Sequence, residues 1–336
     1  MRKKGQVQMQ FNWIYVAIVG AIILAVFVNI AVGIKNQAND QLAGDALTYF
    51  DEIFTSVQAS ENTENSIVLP GLDLEVATYA DNCYEYSIRG SDIGRRPTEY
   101  TSLFSPNLIK TRILSYSLGW DVPFRVNYFL YLTSPEIVYV SVGNNVVSEE
   151  LPEHLDMETS NYNEFENENY YKVKFFSTTK KADDAYLNPS VNKLKDEDVS
   201  AIYINEGEKS ITWYNKDKDT FVESGKTYYL DEPTLIAAIY SENLDSYECN
   251  MRKALERLNK FSTILKNRIT EIKSSDLLPL CTSASYDNAA DLLSQLSDAT
   301  KDFDVSSESF NKISSIRDQL QQINTDINKR SCPTVY

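Results

Sequence analysis

Carboxylates are the side chains this sequence offers most freely for chemistry. Glu149, Glu150, Glu153, Asp156, Glu158, Glu164, Glu166 and Glu168 form a run with no basic residue among them. Such a run can hold calcium outside a cell, and more often it is a solvated loop. Asn215, Asp217 and Asp219 match the first three ligand positions of a calcium loop. The sixth and twelfth positions are Thr220 and Lys226, where an EF-hand needs glycine and glutamate, so a polar hairpin tip is expected instead. Gly225-Lys226-Thr227 has the ending of a phosphate loop, but Thr220 stands where its first glycine must be, and the segment is expected to be a turn. His154 is the only histidine, so one chain cannot build a multi-histidine metal site. No Gly-x-Ser-x-Gly or His-Glu-x-x-His pattern occurs, and no carboxylate pair stands out for glycosidase chemistry. The expectation is a protein without catalytic residues, cofactor or bound metal.

The opposite charge is concentrated at Arg89-Gly90-Ser91-Asp92-Ile93-Gly94-Arg95-Arg96. Arg89, Arg95 and Arg96 make a candidate patch for an acidic partner or a sugar carboxylate, against the plainer reading of an exposed turn. The chain as a whole is acidic, with 32 basic and 48 acidic residues and a net charge of -16. A surface of that sign repels phosphate backbones, so no nucleic-acid partner is expected. Hydrophobic residues make up 43% of the 336, enough for a packed core.

The elements that must carry these residues begin with residues 11–34, FNWIYVAIVGAIILAVFVNIAVGI, an uncharged stretch. Its length predicts a transmembrane helix, since roughly 20 apolar residues cross a bilayer core. Arg2, Lys3 and Lys4 precede it and only Lys35 follows closely, so the positive-inside bias puts residues 1–10 in the cytoplasm and the bulk of the chain outside the cell membrane. Leu42, Ala43, Ala46, Leu47, Phe50, Ile53, Phe54 and Val57 continue a three-to-four spacing, which predicts an amphipathic helical extension over 35–60.

Met1-Arg2-Lys3-Lys4-Gly5-Gln6 before a hydrophobic segment resembles the class III signal peptide of archaeal type IV pilin-like proteins. The resemblance implies cleavage between Gly5 and Gln6 by a prepilin peptidase. It also implies a structural or adhesive role at the cell surface, with self-assembly or other pilin-like subunits as partners. It covers about the first 60 residues. The fifth residue after the cut is commonly glutamate in that family and here is Gln10, which favours a minor role over the repeating shaft. The wider chain looks like archaeal membrane proteins that begin with a similar Gly-Gln…Phe-Asn-Trp segment, and these lend it no activity. A permanently anchored binding module is the alternative function, and an anchored hydrolase the third.

Residues 61–240 read as a β-rich domain. Segments 125–132 and 137–142 flank Thr133-Ser134-Pro135-Glu136, a hairpin signal. Residues 171–175 alternate, with one apolar face, and segments 201–204, 211–214, 220–222 and 227–230 suggest an antiparallel meander. Residues 108–117 fit a helix or a strand. From 241 to 336 the period changes to three and four. Met251, Ala254, Leu258, Phe261 and Leu265 make one stripe, Ala289, Leu292, Leu293 and Leu296 a second, and Ile313, Ile316, Leu320, Ile323 and Ile327 a third. The expected fold class is therefore α+β: a transmembrane helix running into a long amphipathic helix, an antiparallel β-rich domain and a C-terminal three-helix antiparallel bundle.

Four cysteines, Cys83, Cys249, Cys281 and Cys332, lie on the expected outer side. In an up-down-up bundle, Cys281 and Cys332 fall at one end and Cys249 at the other, beside the β domain that holds Cys83. Cys281–Cys332 and Cys83–Cys249 are the expected bridges, unless the loop after Lys273 folds back and brings Cys281 to Cys249.

Overall fold

The computed structural model describes residues 40–52, 54–56, 63–69, 71–78, 83–91, 93–96, 101–143, 151–152, 155–183, 185–274, 281, 283–301 and 307–336, with six isolated positions between 17 and 28. Residues 40–52 and 54–56 are helical and form α1. Nine strands follow: β1 (Glu64–Val68), β2 (Leu74–Ala77), β3 (Glu85–Ile88), β4 (Gly94–Arg95), β5 (Leu103–Phe104), β6 (Leu108–Ile109), β7 (Arg112–Asp121), β8 (Arg125–Thr133) and β9 (Ile137–Ser141). Then come β10 (Met157–Thr159), β11 (Lys172–Ser177), the short α2 (Pro189–Asn192), a 3-10 turn at Asp196–Asp198, β12 (Val199–Asn205), β13 (Ser210–Asp217) and β14 (Thr220–Tyr228). Four helices complete the chain: α3 (Glu232–Tyr240), α4 (Leu244–Ser274), α5 (Ser283–Lys301) and α6 (Ser307–Lys329).

The strands form three sheets, ordered β1-β7-β8-β5, β4-β3-β2-β6 and β10-β9-β11-β12-β13-β14. Alternation along β8 explains the layering. Phe129 and Tyr131 point into the core shared with the helices, while Leu130 and Leu132 point into a second core beneath α1. There Ala43, Leu47, Phe50 and Phe54 lie on one face of α1 and pack with Leu74, Val76, Tyr86 and Ile109. Burying each large side chain contributes about 1.5–3 kcal/mol. The six-stranded sheet is covered on both faces: in β9, Ile137 and Tyr139 join the helix-side core, and Val138 and Val140 join a third core with Phe175, Leu187 and Val191.

The expectation of an antiparallel domain needs correction. In the six-stranded sheet β10, β9, β11 and β12 pair in parallel and β12-β13-β14 is an antiparallel meander, whereas the other two sheets are antiparallel as expected except for β5, which runs parallel to β8. The physical reason lies in β9 and β11, whose residues are buried in unbroken runs, as strands covered on both faces must be. Thr133-Ser134-Pro135-Glu136 is not a hairpin either, because β8 and β9 belong to different sheets. β8 pairs instead with β7, which resolves residues 112–121 as strand. The β-rich region also ends early, since α3 occupies Glu232–Tyr240.

The expected transmembrane helix is a second correction. Among the described residues, no helix is long and apolar enough to cross a membrane. α4, α5 and α6 have the length, but each carries charged residues along an exposed face. Of residues 11–34 only Ala17, Ile18, Ala21, Leu24, Ala25 and Val28 are described, and these do not make a span.

The three-helix bundle is present. Lys273 near the end of α4 pairs with Asp287 near the start of α5, while Asn259 nearer the middle of α4 donates to the Ser297 carbonyl at 2.6 Å. These contacts run in opposite senses, so α4 and α5 are antiparallel. Tyr286 of α5 donates to the Pro333 carbonyl at 2.7 Å, which brings the end of α6 back to the start of α5. Cys281 is bonded to Cys332 and Cys83 to Cys249, the pairs expected from the helix lengths. α4 approaches β14 so closely that a Cβ on Gly225 would lie 2.6 Å from Leu244 Cδ2. Gly225-Lys226-Thr227 therefore sits inside a strand, not in the expected turn.

Candidate functional site

Three lysines project from the six-stranded sheet into the protein. The side chains of Lys172 and Lys216 are 2% exposed, and Lys174 is equally sequestered. A buried ammonium is costly unless each N–H finds an acceptor, and each lysine solves this with backbone or side-chain oxygens of a neighbouring loop. Lys172 Nζ donates to Glu242 Oε1 at 2.6 Å and to Asn107 Oδ1 at 2.8 Å. Lys216 Nζ donates to the Leu194 carbonyl at 2.6 Å and meets Asp196 at 3.0 Å. Lys174 Nζ donates to the carbonyls of Tyr240 and Ser241 at the C-terminus of α3. Burial pushes the Lys174 ammonium down to about 7, against the pull of Glu242.

Asn107 and Glu242, the partners of Lys172, line one cleft of about 580 Å³, and the partners of Lys174 and Lys216 include chain neighbours of that lining. One wall is β2 and β6 with Asn107 and Lys110; another is the turn Lys195–Asp198; a third is the α3–α4 link at Glu242 and Asn243; Arg89 stands at the rim. Lys172 fixes the first and third walls to each other from beneath, and the Asn107 N–H adds a bond to Glu242 Oε2 at 3.0 Å. Lys216 fixes the second wall. Burial pushes the Asp198 carboxyl above its usual range, with Lys172 and Lys195 opposing and Glu197 reinforcing. Lys110 Nζ rests 4.2 Å from the centre of the Tyr171 ring, whose hydroxyl donates to the Leu108 carbonyl at 2.8 Å. The cleft thus presents fixed charges of both signs and suits a small polar ligand.

The basic island is divided by the fold. Arg89 pairs with Glu75 at 2.6 Å and faces the cleft. Arg95 reaches Asp51 of α1 at 4.0 Å and donates to Thr48 at 3.1 Å, and Arg96 pairs with Glu85 at 2.8 Å. Two of the three arginines therefore serve the seat of α1 and β3. Asn215 and Asp217 lie in the last part of β13 and Asp219 in the β13–β14 turn, and among the described residues no group of three acidic, histidine or cysteine side chains is placed to hold a metal. In the acidic run, Asp156 accepts from the Tyr170 hydroxyl at 2.9 Å, and burial, then Asp156 and Glu168, push the Glu158 carboxyl up. Glu149, Glu150, Glu153, His154, Gly5 and Gln6 lie outside the described residues.

Sequence reasoning missed Lys172, Lys174, Lys216, Asp198 and Glu242. The alternating Lys172 and Lys174 read as a solvent face, which holds only if that side of the strand is open. The usable signal was the Ile137–Val142 run, apolar but for Ser141, which marks a neighbouring strand covered on both sides. Compared with known proteins, the chain matches no family model, no curated protein and no solved structure.

Proposed function

We propose that this chain is a non-enzymatic, pilin-like protein on the outer side of the cell membrane, with a structural or adhesive role. The observation that carries this reading is the seating of α1. Its apolar face lies on the sheets through Leu47, Phe50 and Phe54, and polar contacts from Arg95, Ser91 and Tyr86 fix its other flank. Leu42 and Tyr49 remain exposed, free to meet other subunits. A helical spine bearing on a β-sheet is what the Lys4-Gly5-Gln6 resemblance leads one to expect. Two disulfides support an oxidising compartment.

The test is N-terminal sequencing and intact mass of the protein from its native cells, together with protease treatment of those cells. A chain starting at Gln6 and digested from outside is the expected result. A start at Met1 or Arg2 would leave the second reading, a binding module that is not processed, which the polar cleft favours. Full protection from protease would overturn both.

A further inference from the structure

We propose that the cleft between β2, β6, the Asp196–Asp198 turn and the α3–α4 link binds a small zwitterion: an α-amino acid or the unblocked ends of a short peptide. This goes beyond the surface role above and uses no residue of α1.

Most charges at the cleft are matched within the protein: Arg89 with Glu75 at 2.6 Å, Lys195 with Glu197 at 3.1 Å, and Glu242 with the underlying Lys172 at 2.6 Å. Two make no close ion pair among the described residues. Lys110 contacts the Tyr171 ring. Asp198 feels Lys172, Lys195 and Arg89 only at longer range, and each of these is closely paired with another carboxylate. One belongs to the wall after β6 and the other to the turn before β12, so a cation and an anion without close ion-pair partners stand on different elements around one space. Partial burial makes the Asp198 carboxylate costly and outweighs the help of Lys172 and Lys195, and an incoming ammonium in direct contact would offset that cost. Lys110 keeps its N–H donors while seated on an aromatic face, so a ligand carboxylate can reach it.

A metal ion is the rival for Asp198. Calcium takes 6–8 oxygen ligands in the usual case, whereas no three-carboxylate group is assembled among the described residues. An organic ammonium needs fewer acceptors. The volume of about 580 Å³ lies within the usual range of small-molecule sites and has room for a dipeptide. The walls are held in advance by Lys172 and Lys216, so little ordering is left for the ligand to impose.

The test is calorimetric titration of the full chain, disulfides intact, with alanyl-alanine, lysyl-alanine and aspartyl-alanine, and with N-acetylated and C-amidated alanyl-alanine. Binding of at least one unblocked dipeptide is expected, with each block weakening alanyl-alanine about tenfold or more. Asp198→Asn should erase the penalty of acetylation, and Lys110→Gln that of amidation, in variants that melt as the parent does. Failure of all three unblocked dipeptides to bind at about 10 mM overturns the proposal, as does equal binding of blocked and unblocked forms. If either variant misfolds, the blocked peptides on the parent chain decide alone.

Discussion

Lys172 Nζ and Glu242 Oε1 stand 2.6 Å apart, joining a strand in the middle of the six-stranded sheet to the link between α3 and α4. The lysine side chain is 2% exposed and the glutamate 16%, so water solvates neither end well. The contact holds two layers of the fold together and sets the floor of the cleft. Its cost in desolvation is offset by Asn107, whose side-chain oxygen and main-chain N–H complete the network.

Removing one partner should therefore cost more than removing both. Lys172→Met strands Glu242 with only the Asn107 N–H and is expected to destabilise by about 2–4 kcal/mol, below the full buried-pair value because Glu242 keeps some access to water. Lys172→Met with Glu242→Gln should recover part of that loss. Urea unfolding at neutral pH reads both, and a double variant no more stable than the single one would sink the account.

The two disulfides should differ in worth. Cys83–Cys249 spans 166 positions and Cys281–Cys332 spans 51. Loop-closure entropy gives about 5 and about 4 kcal/mol respectively. The first also fastens the loop before β3 to α4, within the core beneath α1. The Cys83→Ser, Cys249→Ser pair is expected to melt below the Cys281→Ser, Cys332→Ser pair. Thermal melts of both in oxidising buffer check the order, and the reverse order would contradict it.

α1 should divide sharply into two faces. Phe54 is 6% exposed and meets Tyr86 edge-on at 5.6 Å between ring centres, so Phe54→Ala is expected to cost about 3–5 kcal/mol. Tyr49 is 57% exposed, and Tyr49→Ala should change stability by less than about 0.5 kcal/mol. Equilibrium unfolding of the two variants measures the contrast. A costly Tyr49 substitution would mean that the outward face of α1 is covered by something within the same chain.

The parts of this fold that could be read from sequence are those with an apolar stripe on one side. α4, α5 and α6 show Leu258, Leu293 and Ile316 within such stripes, and the residues of α1 do the same. α3 escaped because Thr234–Tyr240 is buried all round, which leaves no periodicity to detect. The turn at Ser134-Pro135 correctly signalled a change of direction. Turn chemistry does not say which strand pairs with which, and here the chain crosses into another sheet. The cleft was illegible for a different reason. The Asn107–Lys110 segment, Lys172, Asp198 and Glu242 are far apart in the chain, and the parallel sheet and the α3–α4 link bring them together.

Asp231 offers a prediction in which the pH dependence carries the information. It caps α3: its Oδ1 accepts from the Thr234 N–H at 3.3 Å, and its Oδ2 accepts from Trp120 Nε1 at 3.2 Å, with Arg317 at 3.9 Å. Burial nevertheless raises its carboxyl from 3.8 to about 6, outweighing the hydrogen bonds and the arginine. The folded state then holds this proton more tightly than the unfolded chain. The resulting stabilisation is complete below pH 3.8 and disappears as pH climbs through 6. Asp231→Asn removes the titration while keeping a residue that caps helices well. Near pH 4 the variant and the parent differ only by the altered hydrogen bonds, since asparagine cannot accept from both Thr234 and Trp120. Between pH 4 and pH 7 the parent loses stability at this site and the variant does not. The variant should therefore gain on the parent by about 1–3 kcal/mol across that range, whatever their offset at pH 4. Denaturant unfolding of both proteins at several pH values measures the gap, and a gap that stays constant or moves in the parent's favour would show that Asp231 is ionised in the folded state throughout.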